Sequence, residues 1–213
     1  MSLRLAVLAS GVGGNLQAIL DTVHTEGVAT VVAVATDNPS ALAIARAQAA
    51  GVPVGIFELQ AYPDRTARDE AIAEWLAARG VQLVVLAGYM RLLAPSFLAR
   101  FPGAVINVHP ALLPAFPGLD AVEQALAYGA KVFGVTVHFV DEGVDTGPVI
   151  LQRAVELPEA ETPEQVYEVL RPIEHALLPQ AIRLIAAGAV SLDPQNPRRV
   201  RVEQARSVSS NEG

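Results

Sequence analysis

Short apolar runs rich in β-branched residues alternate with helical segments through the first half of this chain, and this alternation constrains the fold most. The runs cover residues 3–9, 30–35, 52–57, 81–87 and 104–108. Continuously apolar runs of this length are typical of strands buried on both faces of a parallel sheet. Between them, helices are predicted from Asn15 as the N-cap, at 41–50 and 64–79, and from Pro95. The sequence therefore predicts an α/β fold with right-handed helical crossovers.

The second half of the chain has a different pattern. Two β-rich runs, 132–140 and 149–155, are joined by a loop too short for a helical crossover, so we expect them to pair antiparallel. Helices are predicted at 119–128 and 163–187, with Pro172 kinking or breaking the second. We expect a single domain at 1–188, followed by a polar extension at 189–213 that is partly disordered.

Composition narrows the possible functions. The 213 residues include no cysteine, which excludes disulfides, a thiolate nucleophile and cysteine-based metal sites. The net charge of −7 disfavours general nucleic-acid binding, and the arginines at 198, 199 and 201 are interpreted as a solvated tail. Apolar runs are too short for a membrane span and no targeting segment is recognised, so we expect a cytoplasmic protein.

A glycine-rich loop, SGVGGN at residues 10–15, follows the first apolar run and precedes the first helix. Its glycines allow backbone N–H groups to point into one concavity, which suits a phosphate. The loop has neither the glycine spacing of a dinucleotide fingerprint nor the lysine of a Walker loop. A phosphate site and a plain tight turn both remain open on these residues alone.

Polar side chains follow two of the predicted strands. Asn107 and His109 are two positions apart, so they should lie on one face of the sheet. An imidazole can stabilise an oxyanion or move a proton near neutral pH, and an amide can hold a carbonyl oxygen. The turn at 141–148 brings three acids, and a carboxylate facing His109 would orient the ring. A metal site is the rival interpretation, but the close spacing of metal ligands is missing, so none is predicted.

Apolar residues after the fourth run, in LAGYMRLL at 86–93, most often belong to a core. Beside the polar site, Met90, Leu92 and Leu93 would equally form a wall that grips a flat heterocycle. The glycine loop, the polar site and this wall together indicate a carbonyl group held between a phosphate ligand and a flat ring. The lack of an evident nucleophile or metal ligand set favours direct transfer.

Taken in order, these motifs closely resemble the glycinamide ribonucleotide formyltransferase family, folate-dependent enzymes of purine synthesis. The matching runs span nearly the whole chain: SGVGGNLQAIL (10–20), VLAGYMRLL (85–93), INVHPALLPAFPG (106–118), GVTVHFVDEGVDTGPVILQ (134–152) and EHALLP (174–179). The resemblance implies a Rossmann-like formyltransferase fold. This is a mostly parallel twisted sheet with helices on both faces and an antiparallel C-terminal strand pair.

The resemblance also implies residue roles. The family's catalytic trio is matched by Asn107, His109 and Asp145. The residues matched to the ribonucleotide and its phosphate are Gly13, Gly14, Asn15, Arg171 and Glu174. Those matched to the folate site are Arg65, Met90, Arg91, Leu92, Leu93, Asn107, Val140, Asp141, Glu142, Gly143, Val144 and Asp145.

The activity implied by the resemblance is formyl transfer from the co-substrate 10-formyltetrahydrofolate to the amine of 5-phosphoribosylglycinamide. The amine would attack directly, without a metal, while protonated His109, supported by Asp145, and Asn107 stabilise the oxyanion. The implied partners are small molecules, with no nucleic acid or membrane, in a monomer or homodimer.

Alternatives with other activities remain open. Methionyl-tRNA formyltransferase and formyltetrahydrofolate hydrolase share this chemistry, but each has an additional domain that we do not expect here. A non-catalytic folate- or nucleotide-binding module would leave the polar trio without a purpose. The chain also departs from the family pattern: Gly14 replaces a frequent serine, Asp120 stands where some members have histidine and receives no role, and Pro172 interrupts the last helix.

Overall fold

The sheet of this protein has nine strands within residues 2–203, the part of the chain that the computed structural model describes. The strands are β1 Leu3–Leu8, β2 Ala29–Thr36, β3 Val54–Ile56, β4 Leu83–Leu86, β5 Val105–His109, β6 Val132–Phe139, β7 Val149–Glu156, β8 Val190–Asp193 and β9 Asn196–Val202. The helices are α1 Gly14–Ile19, α2 Leu42–Ala49, α3 Arg65–Ala77, α4 Pro95–Arg100, α5 Ala121–Tyr128 and α6 Pro163–Ala186. The π-helical segment Leu20–His24 extends α1, and Leu59–Ala61 forms a 3-10 turn.

The strand order is β3-β2-β1-β4-β5-β6-β7-β9-β8. Strands β1 to β5 pair in parallel, whereas β6 is antiparallel to both β5 and β7. The predicted fold class is confirmed, including the antiparallel pairing of the 132–140 and 149–155 runs. The reversal between β5 and β6 was not predicted, and it sets Asn107 directly opposite His138.

Apolar packing on both faces explains why the parallel strands are continuously apolar. In β1, Leu5 and Val7 belong to one buried cluster, whereas Ala6 and Leu8 belong to another on the opposite face. Residues of α1, α2, α5 and α6 join the first cluster, and residues of α3 and α4 join the second. The sheet is therefore covered by helices on both sides.

The polar extension contains a strand pair that the sequence did not predict. Residues 190–202 form the antiparallel pair β8 and β9. Strand β9 meets β7 at one register pair, Val149 with Arg199, and Arg201 Nη2 lies 2.9 Å from Asp193 Oδ2. The ion pair is accompanied by two apolar cross-strand pairs, Val190 with Val202 and Leu192 with Val200. The remaining residues of the extension, 204–213, lie outside the described residues.

Two helix predictions also need correction. Gly13, not Asn15, is the N-cap of α1, in a left-handed conformation with φ 74°. Helix α6 runs unbroken from Pro163 to Ala186 with Pro172 inside it, and it begins with a capping box in which Thr162 and Gln165 bond reciprocally. In residues 2–203, none of the helices has the length and apolar character needed to cross a membrane.

Candidate active site

A cavity of about 660 Å³ lies between the β4–α4 connection, the 107–121 segment and the 140–146 loop. Every residue matched to the folate site lines it, namely Arg65, Met90, Arg91, Leu92, Leu93, Asn107, Val140, Asp141, Glu142, Gly143, Val144 and Asp145. His109 lines it as well. The structure therefore brings the predicted folate and catalytic residues together around one space. Neither set of roles follows from this proximity alone.

His109 lies between two acceptors at the end of β5. Its Nε2 is 2.8 Å from the carbonyl oxygen of Phe116, and its Nδ1 is 3.3 Å from Asp145 Oδ2. The ring is almost fully buried. Because a carbonyl and a carboxylate can only accept, this geometry suits an imidazole that carries a proton on both nitrogens.

Asn107 occupies the neighbouring position on the same strand face. Its Nδ2 lies 3.3 Å from Asp145 Oδ1 and 3.3 Å from His138 Nε2. His138 Nδ1 lies 2.8 Å from the carbonyl oxygen of Phe139, and His138 Nε2 lies 3.6 Å from Asp145 Oδ1. Both contacts of the Asn107 amide nitrogen are long, so a shorter bond to a ligand oxygen can replace either of them.

Asp145 connects the loops on either side of the cavity. Its Oδ2 accepts a 2.8 Å hydrogen bond from Gly118 N, and its two oxygens face His109 and His138. Burial raises the pKa of the Asp145 carboxyl, but the His138 and Gly118 hydrogen bonds and the charges of both imidazoles outweigh it, so the net pKa is lowered. The group is therefore poised as an anion beside two imidazoles.

Three non-glycine residues of this region have left-handed backbones: Phe116 (φ 53°), Asp120 (φ 56°) and Asp145 (φ 52°). Such conformations are strained for residues that carry a Cβ. Phe116 contributes the carbonyl that contacts His109, and Asp145 contributes the carboxylate. Backbone strain is thus concentrated where the polar groups converge.

The loop after β6 is braced from within. Asp141 Oδ1 accepts hydrogen bonds from Thr146 Oγ1 at 2.6 Å and from Gly143 N at 3.1 Å. Asp141 Oδ2 lies 4.0 Å from Arg198 of β9, so the C-terminal hairpin reaches the edge of the cavity. These contacts shape the backbone that carries Val144 and Asp145.

The apolar part of the cavity wall is exposed to an unusual degree. The side chains of Met90, Leu92, Leu119 and Val144 are all exposed large hydrophobics that line the cavity. Exposed apolar groups that converge on one cavity indicate a ligand with an apolar face. Leu119 was not among the predicted site residues.

The residues matched to the ribonucleotide form a second cluster, outside the lining of this cavity. Asn15 Nδ2 donates a 2.9 Å hydrogen bond to Glu174 Oε2, which joins the glycine loop to α6. Burial raises the pKa of the Glu174 carboxyl, although the Asn15 hydrogen bond and the Arg171 charge oppose the shift. On its other side the loop packs on α2, where Ala43 N donates to Gly11 O and Arg46 Nε donates to Val12 O.

His175 belongs to this second cluster, although the sequence gave no reason to select it. Its Nε2 would lie 3.0 Å from a Cβ at Gly14, so the ring occupies the space next to the loop. Burial lowers the pKa of His175, and the positive charges of Arg171 and Arg46 lower it further. The two guanidinium groups create an electrostatic environment that favours an anion at the glycine loop, whereas the lowered pKa favours the neutral form of His175.

The sequence also missed His138, for a different reason. It lies inside an apolar strand, and only the antiparallel pairing with β5 brings it to Asn107.

Within residues 2–203 no group of three or more His, Cys, Asp or Glu side chains is arranged to hold a metal ion.

Comparison with known proteins gives consistent matches over most of the chain. The family model described as formyl transferase matches residues 3–182. Phosphoribosylglycinamide formyltransferase of Bacillus subtilis is 44% identical over 181 residues, 84% of this chain and 93% of that protein. The enzyme of the same name from Mycobacterium tuberculosis (strain H37Rv) is 46% identical over 189 residues, 89% and 87% of the two chains. The crystal structure of glycinamide ribonucleotide transformylase 1 from Symbiobacterium toebii superposes with a TM-score of 0.91 at 49% identity, covering 95% of each chain.

Proposed function

We propose that this chain, which belongs to the formyl transferase family, transfers the formyl group of 10-formyltetrahydrofolate to the primary amine of 5-phosphoribosylglycinamide. The Bacillus and Mycobacterium relatives share the name phosphoribosylglycinamide formyltransferase, a one-carbon transferase of purine biosynthesis. This chain has the same activity. Residue roles, the folate co-substrate and the reaction mechanism are our inference.

The observation that carries the mechanism is the convergence of Asn107, His109 and Asp145 on one cavity with an exposed apolar wall. In the proposed reaction the amine nitrogen bonds to the formyl carbon, and the bond from that carbon to the folate nitrogen breaks. The formyl oxygen carries negative charge in between. Preorganised donors aimed at this oxygen lower the barrier, because the charge develops in a site shielded from water.

His109 is the principal donor in this proposal. With both ring nitrogens facing acceptors, the imidazole is held as a cation beside the Asp145 carboxylate. It exchanges the Phe116 carbonyl for the formyl oxygen, donates to the developing oxyanion, and then assists transfer of the amine's proton to the leaving folate nitrogen. Asp145 orients the ring and stays ionised, as the lowered pKa of its carboxyl allows.

Asn107 is the second donor. Its amide is held by long contacts to Asp145 and His138, so either can yield to the formyl oxygen at little cost. Thr146, an aliphatic hydroxyl on the cavity lining, donates at 2.6 Å to Asp141, a carboxylate that also braces Gly143 N, and within residues 2–203 no imidazole hydrogen-bonds to it. Direct attack by the substrate amine therefore fits this lining better than a covalent enzyme intermediate.

The acceptor would bind at the second cluster. We assign its phosphate to the loop at Gly13, Gly14 and Asn15, where Arg46 and Arg171 supply positive charge and the His175 ring lies against Gly14. Glu174, held by Asn15, is assigned to the polar groups of the ribonucleotide.

Residues 1–188 would be the formyltransferase domain, acting on small molecules without nucleic acid, as a monomer or homodimer in the cytoplasm. No metal is assigned to the reaction.

The decisive experiment follows formyl-folate consumption by absorbance, with and without 5-phosphoribosylglycinamide. Consumption that requires the acceptor supports the proposal. Formate release without the acceptor would identify a hydrolase instead, and binding of both ligands without turnover would identify a non-catalytic module.

The role of His109 is tested by His109→Ala. Loss of the donor should lower kcat by a factor on the order of 10²–10⁴. The assay is the acceptor-dependent consumption of formyl-folate at saturating substrates, with thermal unfolding measured in parallel.

His24→Gln is a suitable control for this variant, because His24 lies in the π-helical extension of α1 and only accepts from Val31 N. It should keep wild-type turnover. Near-normal formylation by His109→Ala would refute the mechanism.

A further inference from the structure

The connections after β1, β2 and β4 are joined by one short hydrogen-bonded chain, centred on Asp37. Asp37 Oδ1 accepts from Ser10 Oγ at 2.6 Å, and Asp37 Oδ2 accepts from Arg91 Nε at 2.6 Å. Ser10 Oγ in turn accepts from the backbone N–H of Met90 at 3.0 Å. Arg91 and Met90 both line the cavity, whereas Asp37 does not.

The two partners of this ion pair differ sharply in exposure. The Asp37 side chain is 4% exposed and the Arg91 side chain 54%. Burial raises the pKa of the Asp37 carboxyl, but the Ser10 and Arg91 hydrogen bonds outweigh it, so the pKa is lowered. The hydrogen bond from Arg91 to Asp37 raises the pKa of Arg91. The buried Asp37 carboxylate therefore anchors the Arg91 guanidinium, which extends into solvent at the cavity.

The way Arg91 is held leaves its binding groups free. Only Nε is used by Asp37, and within residues 2–203 the two terminal nitrogens make no other hydrogen bond. These nitrogens form a planar fork suited to a carbonyl or carboxylate. A long side chain ordered before binding loses less entropy when the ligand arrives.

We propose that Asp37 is a positioning residue for the folate co-substrate, acting through Arg91. It holds the Arg91 guanidinium against the cavity wall before the ligand binds. The inference rests on the proposed function, because it takes the ligand of this cavity to be a folate.

The test is a double-mutant cycle on tetrahydrofolate binding, measured by titration calorimetry without turnover. Asp37→Ala should raise Kd about tenfold, the loss expected when one long side chain must be ordered on binding. Arg91→Ala should raise Kd by at least as much. If Asp37 acts through Arg91, the double variant should bind no worse than Arg91→Ala within a factor of about two.

If Asp37 only stabilised the fold, the result would be different. The increases in Kd of the two single variants would multiply in the double variant, and the melting temperature and kcat of Asp37→Ala would fall together. Glu26→Ala is a matched control, because it breaks an ion pair with Arg183 (2.7 Å) whose partners do not line the cavity. It should leave tetrahydrofolate binding unchanged.

Two milder variants keep the test decisive if Asp37→Ala folds poorly. Asp37→Asn retains one acceptor oxygen and should show an intermediate Kd. Ser10→Ala leaves the Arg91 contact and should have a smaller effect than Asp37→Ala. Multiplicative losses, or wild-type binding by Asp37→Asn and Asp37→Ala, would overturn the inference while leaving the proposed function intact. Failure of the unaltered protein to bind tetrahydrofolate would overturn both.

Discussion

At the scale of single residues, the site depends on side chains with few alternatives. Asp145 faces two imidazoles and adopts a left-handed backbone, which aspartate and asparagine tolerate better than most residues do. The proposed mechanism also needs it ionised. Gly14 has a different constraint, since its missing Cβ leaves room for His175. Asp145 can therefore be tested by removing its charge, and Gly14 by adding a Cβ.

Asp145→Asn should preserve the loop and remove the charge. The folded-state pKa of Asp145 is depressed, so its contribution to the free energy of unfolding is present above the ordinary aspartate pKa of about 3.9. That contribution is lost as pH falls through the depressed folded pKa. The stability gap between wild type and Asp145→Asn should therefore be constant at pH 5–7 and should shrink below about pH 4.

Urea unfolding between pH 3 and pH 7 measures this gap. A gap that stays constant down to pH 3 would contradict the assignment. Turnover of Asp145→Asn should also be lower by a factor on the order of 10²–10⁴, since His109 loses its counter-ion.

Gly14→Ala should weaken binding of the acceptor. A Cβ there would lie 3.0 Å from His175 Nε2, so the ring must move away from the loop. We expect the KM for 5-phosphoribosylglycinamide to rise about tenfold with the KM for formyl-folate unchanged. Gly11→Ala, in the same loop, has no atom within 4 Å of its added Cβ and is the control. Equal effects of the two substitutions would argue against a role for His175.

At the scale of elements, the reversal of strand direction between β5 and β6 builds the polar site. Direct opposition of Asn107 and His138 places their side chains on one face of the sheet. The loop that follows β6 then returns Asp145 to the same face. A parallel β6 would not give this arrangement, so the hairpin of β6 and β7 is a functional element as well as a structural one.

Gly147→Ala should disturb this hairpin. The added Cβ would overlap the carbonyl oxygen of Phe139, a backbone atom that cannot move without shifting the turn. We expect a loss of about 1–3 kcal/mol in the free energy of unfolding and a higher KM for formyl-folate.

Urea unfolding and steady-state kinetics measure these two effects. The adjacent Thr146→Ser keeps the hydroxyl that donates to Asp141 and should behave like wild type. Wild-type stability of Gly147→Ala would show that the loop tolerates displacement.

The sequence predicted most elements because their physical causes are local. Buried parallel strands favour continuous apolar runs, and helix ends favour capping residues, glycine or proline, so both can be recognised along the chain. Features that depend on tertiary pairing could not be predicted in this way. His138 is a polar residue within an apolar strand, Asp37 stands in a sequence typical of a turn, and β9 is rich in arginine, so the pattern around each gave no sign of its contacts.

At the scale of the whole molecule, the buried core lies almost entirely before residue 189. Among the described residues after that point, only Asp193 is buried. Val190 and Val200 pack against the core only in part, and β9 meets β7 at a single register pair. The C-terminal hairpin is therefore an addition to the edge of a sheet that is complete without it.

A chain shortened to residues 1–188 should fold and retain formyl transfer. We expect a lower melting temperature, because β7 loses its neighbour, and a modest rise in the KM for formyl-folate, because Asp141 loses Arg198. An exposed β7 edge should also increase self-association. Cooperative unfolding with turnover within about tenfold of wild type would be the expected result, whereas an unfolded product would show that the hairpin is essential.

The left-handed residues around the cavity have a consequence for laboratory evolution. Glycine relieves the strain at the exposed Asp120 without removing a proposed catalytic side chain, so a screen for heat resistance should recover substitutions there early. The same relief at Asp145 would eliminate the carboxylate and with it the activity. Selection for thermal stability alone and selection for growth that depends on the enzyme should therefore diverge first at the codon for Asp145.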